Sequence, residues 1–241
     1  MKIYVVGIGP GARADMTARA AEAIENAEVI VGYGTYLELI KGLTEGKELI
    51  ATGMTRETER CRAALESALS GKRTAVISSG DAGVYGMASL MYEVCAEHPE
   101  VEVEVIPGIT AACSGAALAG APIGHDFAVI SLSDRLTPWE VIEKRLRAAA
   151  EADFVICLYN PSSKKRADHL KRACSCILEY RSPAALCACA VNIGRDGERC
   201  ELYSLGELKD AETDMFTTVF IGSSMTRLIN GKLVTPRGYK V

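Results

Sequence analysis

Three times within the first 115 residues, a strand-like run ends in a glycine-rich turn. Ile3-Tyr4-Val5-Val6 leads into Gly7-Ile8-Gly9-Pro10-Gly11. Ala75-Val76-Ile77 leads into Ser79-Gly80-Asp81-Ala82-Gly83-Val84-Tyr85-Gly86. Residues 101–106 lead into Pro107-Gly108-Ile109-Thr110-Ala111-Ala112. Continuous apolar runs such as the first two are the mark of strands covered on both faces, as in parallel sheets, while Glu102 and Glu104 interrupt the third. Ligands of such sheets bind beyond the carboxyl ends of the strands. Three backbone-rich turns at three strand ends therefore predict one small-molecule site.

The rest of the chain keeps the same alternation. Strands are expected at 2–6, 28–32, 73–78 and 101–106, with helices at 17–26, 56–70, 86–97 and 110–119. Thr17 is placed to cap the first helix, because a threonine oxygen can accept an orphan amide of the first turn. This β-α repetition implies a mostly parallel sheet. Beyond residue 120 the pattern changes. Strands are expected at 127–132, 153–159, 184–191, 199–204 and 216–222, with helices at 138–151 and 163–178. The Asp196-Gly197 turn between two of these strands has hairpin chemistry. The expectation is an α/β protein of two domains, 1–114 with a mostly parallel sheet and 115–241 with a mixed sheet. The small residues of 115–124 are read as the hinge.

Composition narrows the function classes. A formal net charge of −4 gives no global attraction for nucleic acid or an acidic membrane. No segment approaches the roughly 18 consecutive apolar residues of a membrane helix. The chain passes from Met1-Lys2 directly into its first strand, so no signal peptide is read and a cytoplasmic location is expected. The nine cysteines include no Cys-x-x-Cys pair. They are read as small buried side chains in a reducing compartment, with no metal site assigned.

The turns themselves restrict the ligand. Gly7-x-Gly9-x-x-Ala12 formally fits a dinucleotide fingerprint. That fingerprint needs a helix opening at its second glycine and an acid at the end of the second strand. Here Pro10-Gly11 intervenes, and the second strand ends in Val31-Gly32-Tyr33. None of the three turns contains the lysine of a phosphate-binding loop. A nucleoside without phosphate suits them better. Asp81 has two readings, a local turn or helix cap and a carboxylate held toward a ribose or a cationic ligand.

The three turns together resemble the tetrapyrrole (corrin/porphyrin) methyltransferases, over nearly the whole chain. Residues 130–134 and 137–140, Leu158-Tyr159-Asn160-Pro161-Ser162-Ser163-Lys164-Lys165-Arg166 and Asn192-Ile193-Gly194-Arg195 are similar to one branch. That branch methylates carbon 17 of precorrin-3B or cobalt-precorrin-3 with ring contraction to (cobalt-)precorrin-4 in cobalamin biosynthesis. A relative acting on another ring carbon is the alternative. Ala82 departs from the family pattern, which often has proline there, and is expected to loosen that turn.

The resemblance implies a homodimer that binds S-adenosyl-L-methionine in a cleft between two α/β domains. It carries the cofactor positions onto Pro10, Gly80, Asp81, Val84, Thr110, Ala111 and Ala112, and onto Tyr159, Ala190, Gly194 and Thr218. Ring contraction requires a proton to leave an oxygen, and Asp134, His125 and Tyr159 are the candidate bases. Arg135 and the cluster Lys164, Lys165 and Arg166 are the candidates for the carboxylates of the tetrapyrrole. The cluster is read as the first turn of helix 163–178, where positive charge opposes the helix dipole. Trp139 is read as core or interface.

Overall fold

The computed structural model describes residues 1–163 and 166–240. It divides into two compact units, Met1–Ala111 and Ala112–Val241.

The first unit carries β1 (Lys2–Gly7), α1 (Ala18–Asn26), β2 (Val29–Tyr33), α2 (Gly34–Leu39), β3 (Glu48–Thr52), α3 (Glu57–Leu69), β4 (Thr74–Ser78), α4 (Ala88–Val94) and β5 (Glu102–Ile106). Its strands form one parallel sheet in the order β3-β2-β4-β1-β5. Side chains of a strand alternate between faces, so neighbouring residues serve opposite cores. Ile3, Val5, Val31 and Val76 pack beneath α3 and α4. Val6, Ile30, Ala75 and Ile77 pack beneath α1 and α2. Burying such a side chain stabilises by about 1.5–3 kcal/mol, which selects the continuous apolar runs. Thr17 caps α1 as its sequence predicts, accepting the Ala20 amide at 3.1 Å.

Strand order fixes where a ligand can sit. From β1 the chain crosses toward β2, and from β4 it crosses the other way to β5. The switch therefore lies between β1 and β4, where a crevice opens outside the carboxyl ends. The first two glycine turns leave the sheet there, and the third leaves β5 beside β1.

The second unit contains most of α5 (Ala111–Ala119), then β6 (Gly120–Ala121), β7 (Phe127–Ser131), α6 (Trp139–Glu151), β8 (Val155–Tyr159), α7 (His169–Ile177), β9 (Leu186–Val191), β10 (Arg199–Ser204), α8 (Leu205–Leu208), β11 (Thr217–Ile221), β12 (Arg227–Ile229) and β13 (Lys232–Val234). Its main sheet runs β10-β9-β11-β8-β7. Strands β7 and β8 are parallel, and β11 is antiparallel to both β8 and β9. The sheet is thus mixed, and β10 closes its edge as the antiparallel partner of β9. Ile130, Ile156, Leu158, Val219 and Ile221 face α6 and α7. A small sheet β12-β13-β6 completes the unit.

Two expectations are corrected. The segment 115–124 is not a loose hinge: it is helix to Ala119 and strand at Gly120–Ala121. A Cβ on Gly115 would stand 3.0 Å from both Phe220 and Ile193, so its smallness serves close packing. The helix expected at 163–178 begins only at His169. Arg166 belongs to the preceding loop and not to a helical first turn. Arg166 therefore does not oppose the dipole of α7 from within its first turn.

Candidate active site

In the first unit the three glycine turns are one object. Gly9 and Gly80 exchange backbone hydrogen bonds of 3.0 and 2.7 Å, and Ile8 donates to the Ser78 carbonyl at 2.9 Å. Asp81 joins the third turn, its Oδ2 accepting the Gly108 amide at 2.9 Å. The same carboxylate accepts the Gly83 amide through Oδ1 at 2.8 Å. Thr17 donates to the Pro107 carbonyl at 3.3 Å. A Cβ on Gly108 would lie 2.2 Å from Gly80 O and 2.5 Å from Gly7 O, and one on Gly7 2.7 Å from Gly108 N. Gly7 and Gly108 are thus glycines because turn packs on turn.

The second turn is fixed from below as well. Ala82 is fully buried, and its carbonyl accepts the Ala88 amide at 3.0 Å. Packing thus anchors this alanine, where a loosened turn was expected. Arg60 is buried on α3 and holds the end of β3 against the start of α4. Its guanidinium donates to Thr52 Oγ1, Gly53 O and Met87 Sδ. Tyr85 has φ +52° and is 58% exposed. A bulky residue in the left-handed region marks stored backbone strain, which gathers at functional turns.

Of the expected first-unit residues, Gly80, Asp81, Thr110 and Ala111 come together. A Cβ on Gly80 would lie 3.6 Å from Thr110 Cα and 3.7 Å from Ala111 N. Pro10 is buried directly after the Gly9–Gly80 bridge, and Val84 is half-buried within the second turn.

In the second unit, β7, β8 and β9 end at the same edge of the sheet, where β11 begins. The loops leaving that edge carry Asp134 and Arg135, Asn160 and Arg166, and Gly194 and Arg195. Asn160 and Asn192 directly follow β8 and β9 with φ +54° and +51°. Asparagine enters this region more readily than most residues, so both strands end on a left-handed asparagine. The Gly194 amide donates to Glu198 Oε2 at 2.6 Å, and the Arg195 guanidinium lies over the Phe216 ring.

On the sheet face opposite α6 and α7, Thr218 pairs directly with Ala190. Continuing the β8–β11 register from Val219↔Leu158 puts Thr218 opposite Tyr159. These three expected residues form one row. The Tyr159 hydroxyl accepts the Ala112 amide at 2.6 Å, which satisfies an orphan donor at the start of α5. Cys157 shares this face, and burial pushes its thiol far above the usual range, with Cys113 adding to the shift.

A polar cluster surrounds Asp134. Arg166 Nη1 lies 3.8 Å from its Oδ1 and donates to Ser133 Oγ at 2.5 Å. Asn160 donates to Ser131 Oγ at 2.9 Å. His169 Nε2 lies 3.6 Å from Asp134 Oδ2. Trp139 is buried as expected, its ring 4.7 Å from that of His169. His169 was missed in the sequence. It is one of three histidines and stands at the head of an amphipathic segment with Leu170, Ala173 and Cys174. That spacing marks a buried imidazole, which was the available signal.

Other expected residues stand apart. His125 precedes β7, whereas Asp134 follows it, so the two lie at opposite ends of a five-residue strand, roughly 16 Å long at 3.3 Å per residue. The His125 ring is exposed and accepts the Asp126 amide at 2.8 Å. It does not join the Asp134 cluster. Arg135 is exposed in the loop after β7. Lys164 and Lys165 lie outside the described residues.

An α/β protein with three interlocked glycine turns at a parallel-sheet switch point, and no phosphate-gripping lysine in them, is built like a nucleoside-dependent transferase. The family Tetrapyrrole (Corrin/Porphyrin) Methylases matches residues 2–209, and the chain belongs to it. It is a methyltransferase. It is 50% identical to the probable cobalt-factor III C(17)-methyltransferase of Salmonella typhimurium, across 98% of this chain and 99% of that protein. It is 41% identical to the precorrin-3B C(17)-methyltransferase of Sinorhizobium sp, across 98% and 96%. The crystal structure of the methyltransferase CobJ superposes with a TM-score of 0.90 at 40% identity, covering 97% of this chain and 99% of that one.

Proposed function

We propose that this protein methylates carbon 17 of a cobalt-factor III or precorrin-3B type ring, with ring contraction, in cobalamin biosynthesis, using S-adenosyl-L-methionine. The observation that carries the reading is the end-to-end 50% identity with a C(17)-methyltransferase. The higher identity to the cobalt-factor III relative than to the precorrin-3B relative favours a cobalt-containing substrate.

The first-unit turns fit the cofactor. They offer main-chain groups and one carboxylate, without a lysine or arginine among residues 7–12, 79–86 or 107–112. Gly80, Asp81, Val84, Thr110 and Ala111 would hold the methionine and ribose portion, with Pro10 beneath. Ala112 would stand with Thr110 and Ala111, and Tyr159, Thr218, Ala190 and Gly194 would enclose the adenine portion. When bound, S-adenosyl-L-methionine supplies an electrophilic methyl group on a sulfonium.

The chain's own contribution is alignment, which can lower a barrier by about 7–11 kcal/mol. Backbone turns locked to one another give the rigidity this needs. Arg135 and Arg166, with Lys164 and Lys165, would take the substrate carboxylates. Several charge-assisted bonds of about 1.5–3 kcal/mol each suffice, where a single exposed pair would not. Asp134 would accept the proton released in the reaction, with Tyr159 near the same sheet edge. The reading extends to a cytoplasmic homodimer, testable by sedimentation.

Calorimetry tests the cofactor: S-adenosylhomocysteine binds and NADH does not. Incubation with the methyl donor and purified tetrapyrroles, with and without cobalt, tests the transfer by mass. A protein that binds NADH, or leaves every tetrapyrrole unmethylated, contradicts the proposal.

A further inference from the structure

His169 is 4% exposed, and its contacts fix which nitrogen carries a proton. Nδ1 lies 2.9 Å from the Leu132 carbonyl oxygen, which can only accept, so Nδ1 bears hydrogen. The ring rests against Trp139. Trp139 is in turn fixed by its Nε1–H on Glu143 Oε1 at 2.7 Å and by the Arg172 guanidinium 4.1 Å from its ring centre. The imidazole therefore has one orientation, and Nε2 points to Asp134 Oδ2 at 3.6 Å. This is longer than a hydrogen bond, and with hydrogen on Nδ1 the neutral ring offers Nε2 as an acceptor, which the carboxyl can use when it carries a proton. Such catalytic contacts often tighten only in the reacting complex. Arg166 flanks the other carboxylate oxygen at 3.8 Å. Asp134 remains 39% exposed while its partner is buried. A buried polar side chain with a locked ring behind an accessible carboxylate is the arrangement that orients a base.

We propose that His169 is the positioning residue of Asp134, which acts as the proton acceptor of the methylation; this rests on the function proposed above. When a ring carbon takes the methyl group, a carbon–carbon bond forms as the methyl–sulfur bond breaks with its electron pair left on sulfur as a neutral thioether, and the substrate gains one unit of positive charge. The substrate returns to its former charge by losing one proton. The bond to that proton breaks, its electron pair stays on the substrate, and the proton moves to an Asp134 oxygen. Once Asp134 carries the proton, its Oδ2–H donates to the lone pair of Nε2, so His169 holds the protonated group in place and is itself kept in place by Leu132, Trp139 and the helix it begins.

The test uses the full-length protein with Asp134→Asn, His169→Asn and the double variant. Turnover, KM for the tetrapyrrole and melting temperature are measured for each. Asp134→Asn lowers kcat by about 10²–10⁴-fold with KM near wild type. His169→Asn keeps a donor for Leu132 and removes Nε2, lowering kcat by about 10–100-fold. His169→Gln returns an acceptor, the amide oxygen, near the Nε2 position and recovers part of that loss. The double variant is no slower than Asp134→Asn, because His169 acts only through that carboxylate. Full turnover by Asp134→Asn overturns the inference. So does a His169→Asn effect that persists undiminished in the Asp134→Asn background. Asp134→Asn alters an exposed group and answers the question even where a His169 variant does not fold. Failure of the wild type to transfer methyl contradicts the proposed function itself, which separates the two failures.

Discussion

Asp81 Oδ2 accepts the Gly108 amide at 2.9 Å, so a single carboxylate holds the second glycine turn to the third. Its other oxygen closes a local turn on Gly83 at 2.8 Å. Of the two readings of this residue from the sequence, the turn-forming acid is the one these bonds display. Asp81→Ala leaves both amides without their acceptor. The expected cost is about 1–3 kcal/mol of stability for the half-buried Gly108 amide, accompanied by weaker S-adenosylhomocysteine binding. Denaturant unfolding and calorimetry measure the two effects. Wild-type values in both would remove Asp81 from the account.

Gly108 and Gly34 make an internal contrast. A Cβ on Gly108 meets two carbonyl oxygens of the neighbouring turns, at 2.2 and 2.5 Å. A Cβ on Gly34, the first residue of α2, meets nothing within 4 Å. Gly108→Ala is expected to destabilise by about 1–3 kcal/mol or more, as overpacking does. Gly34→Ala is expected to be neutral or to stabilise by up to about 1 kcal/mol. Equal midpoints in urea for the two variants would contradict the packing of turn on turn.

Arg181 ties the second unit together from inside. Its guanidinium donates to Ala150 O at 3.0 Å, Phe154 O at 2.8 Å and Gly222 O at 2.8 Å, and pairs with Asp153 at 3.0 Å. Burial lowers its proton affinity, while Asp153 opposes that shift. A lysine ammonium is a single point and does not span the three carbonyls that Arg181 meets through Nε, Nη1 and Nη2. Arg181→Lys is expected to cost about 3 kcal/mol or more, read as a lower thermal midpoint. Burial raises the Asp153 carboxyl, but bonds from Ser224 and the charge of Arg181 outweigh it, so the net shift is downward. Its contribution to stability is present above the ordinary carboxylate range and fades as pH falls through the depressed value.

The thiols give a pH dependence of the opposite sense. Burial pushes Cys61 to about 11 and Cys174 and Cys189 to about 12. The folded state therefore holds protons that the unfolded chain releases above an ordinary thiol value of 9.0. Stability from these groups is complete below that value and is lost as pH rises toward 11–12. Native titration with a thiol reagent at neutral pH should modify Cys113 rapidly and Cys200 slowly. The seven buried cysteines should react only on unfolding. Rapid reaction of Cys187 or Cys189 would contradict their burial.

Legibility followed the range of the forces involved. The first-unit strands, the Thr17 cap and the glycine turns were readable because apolar periodicity and turn chemistry are local. The elements α2 and β3 were not, because one is six residues long and the other, Glu48-Leu49-Ile50-Ala51-Thr52, is an edge strand with no buried residue. The start of α7 was misplaced by several residues because what holds His169 is Leu132 O, 37 positions earlier in the chain. The same long-range bond hid His169 from the site. His125 drew attention as a loop histidine, yet the strand between it and Asp134 separates them. The row Tyr159, Thr218 and Ala190 came from resemblance, and strand register alone explains why three distant residues share a face.

The most direct test of the central claim is incubation with a ¹³C-methyl-labelled sulfonium donor and cobalt-factor III, followed by carbon NMR of the product. The expected product carries one labelled methyl at carbon 17 of a contracted ring. A label at another ring carbon, or on none, would contradict that claim.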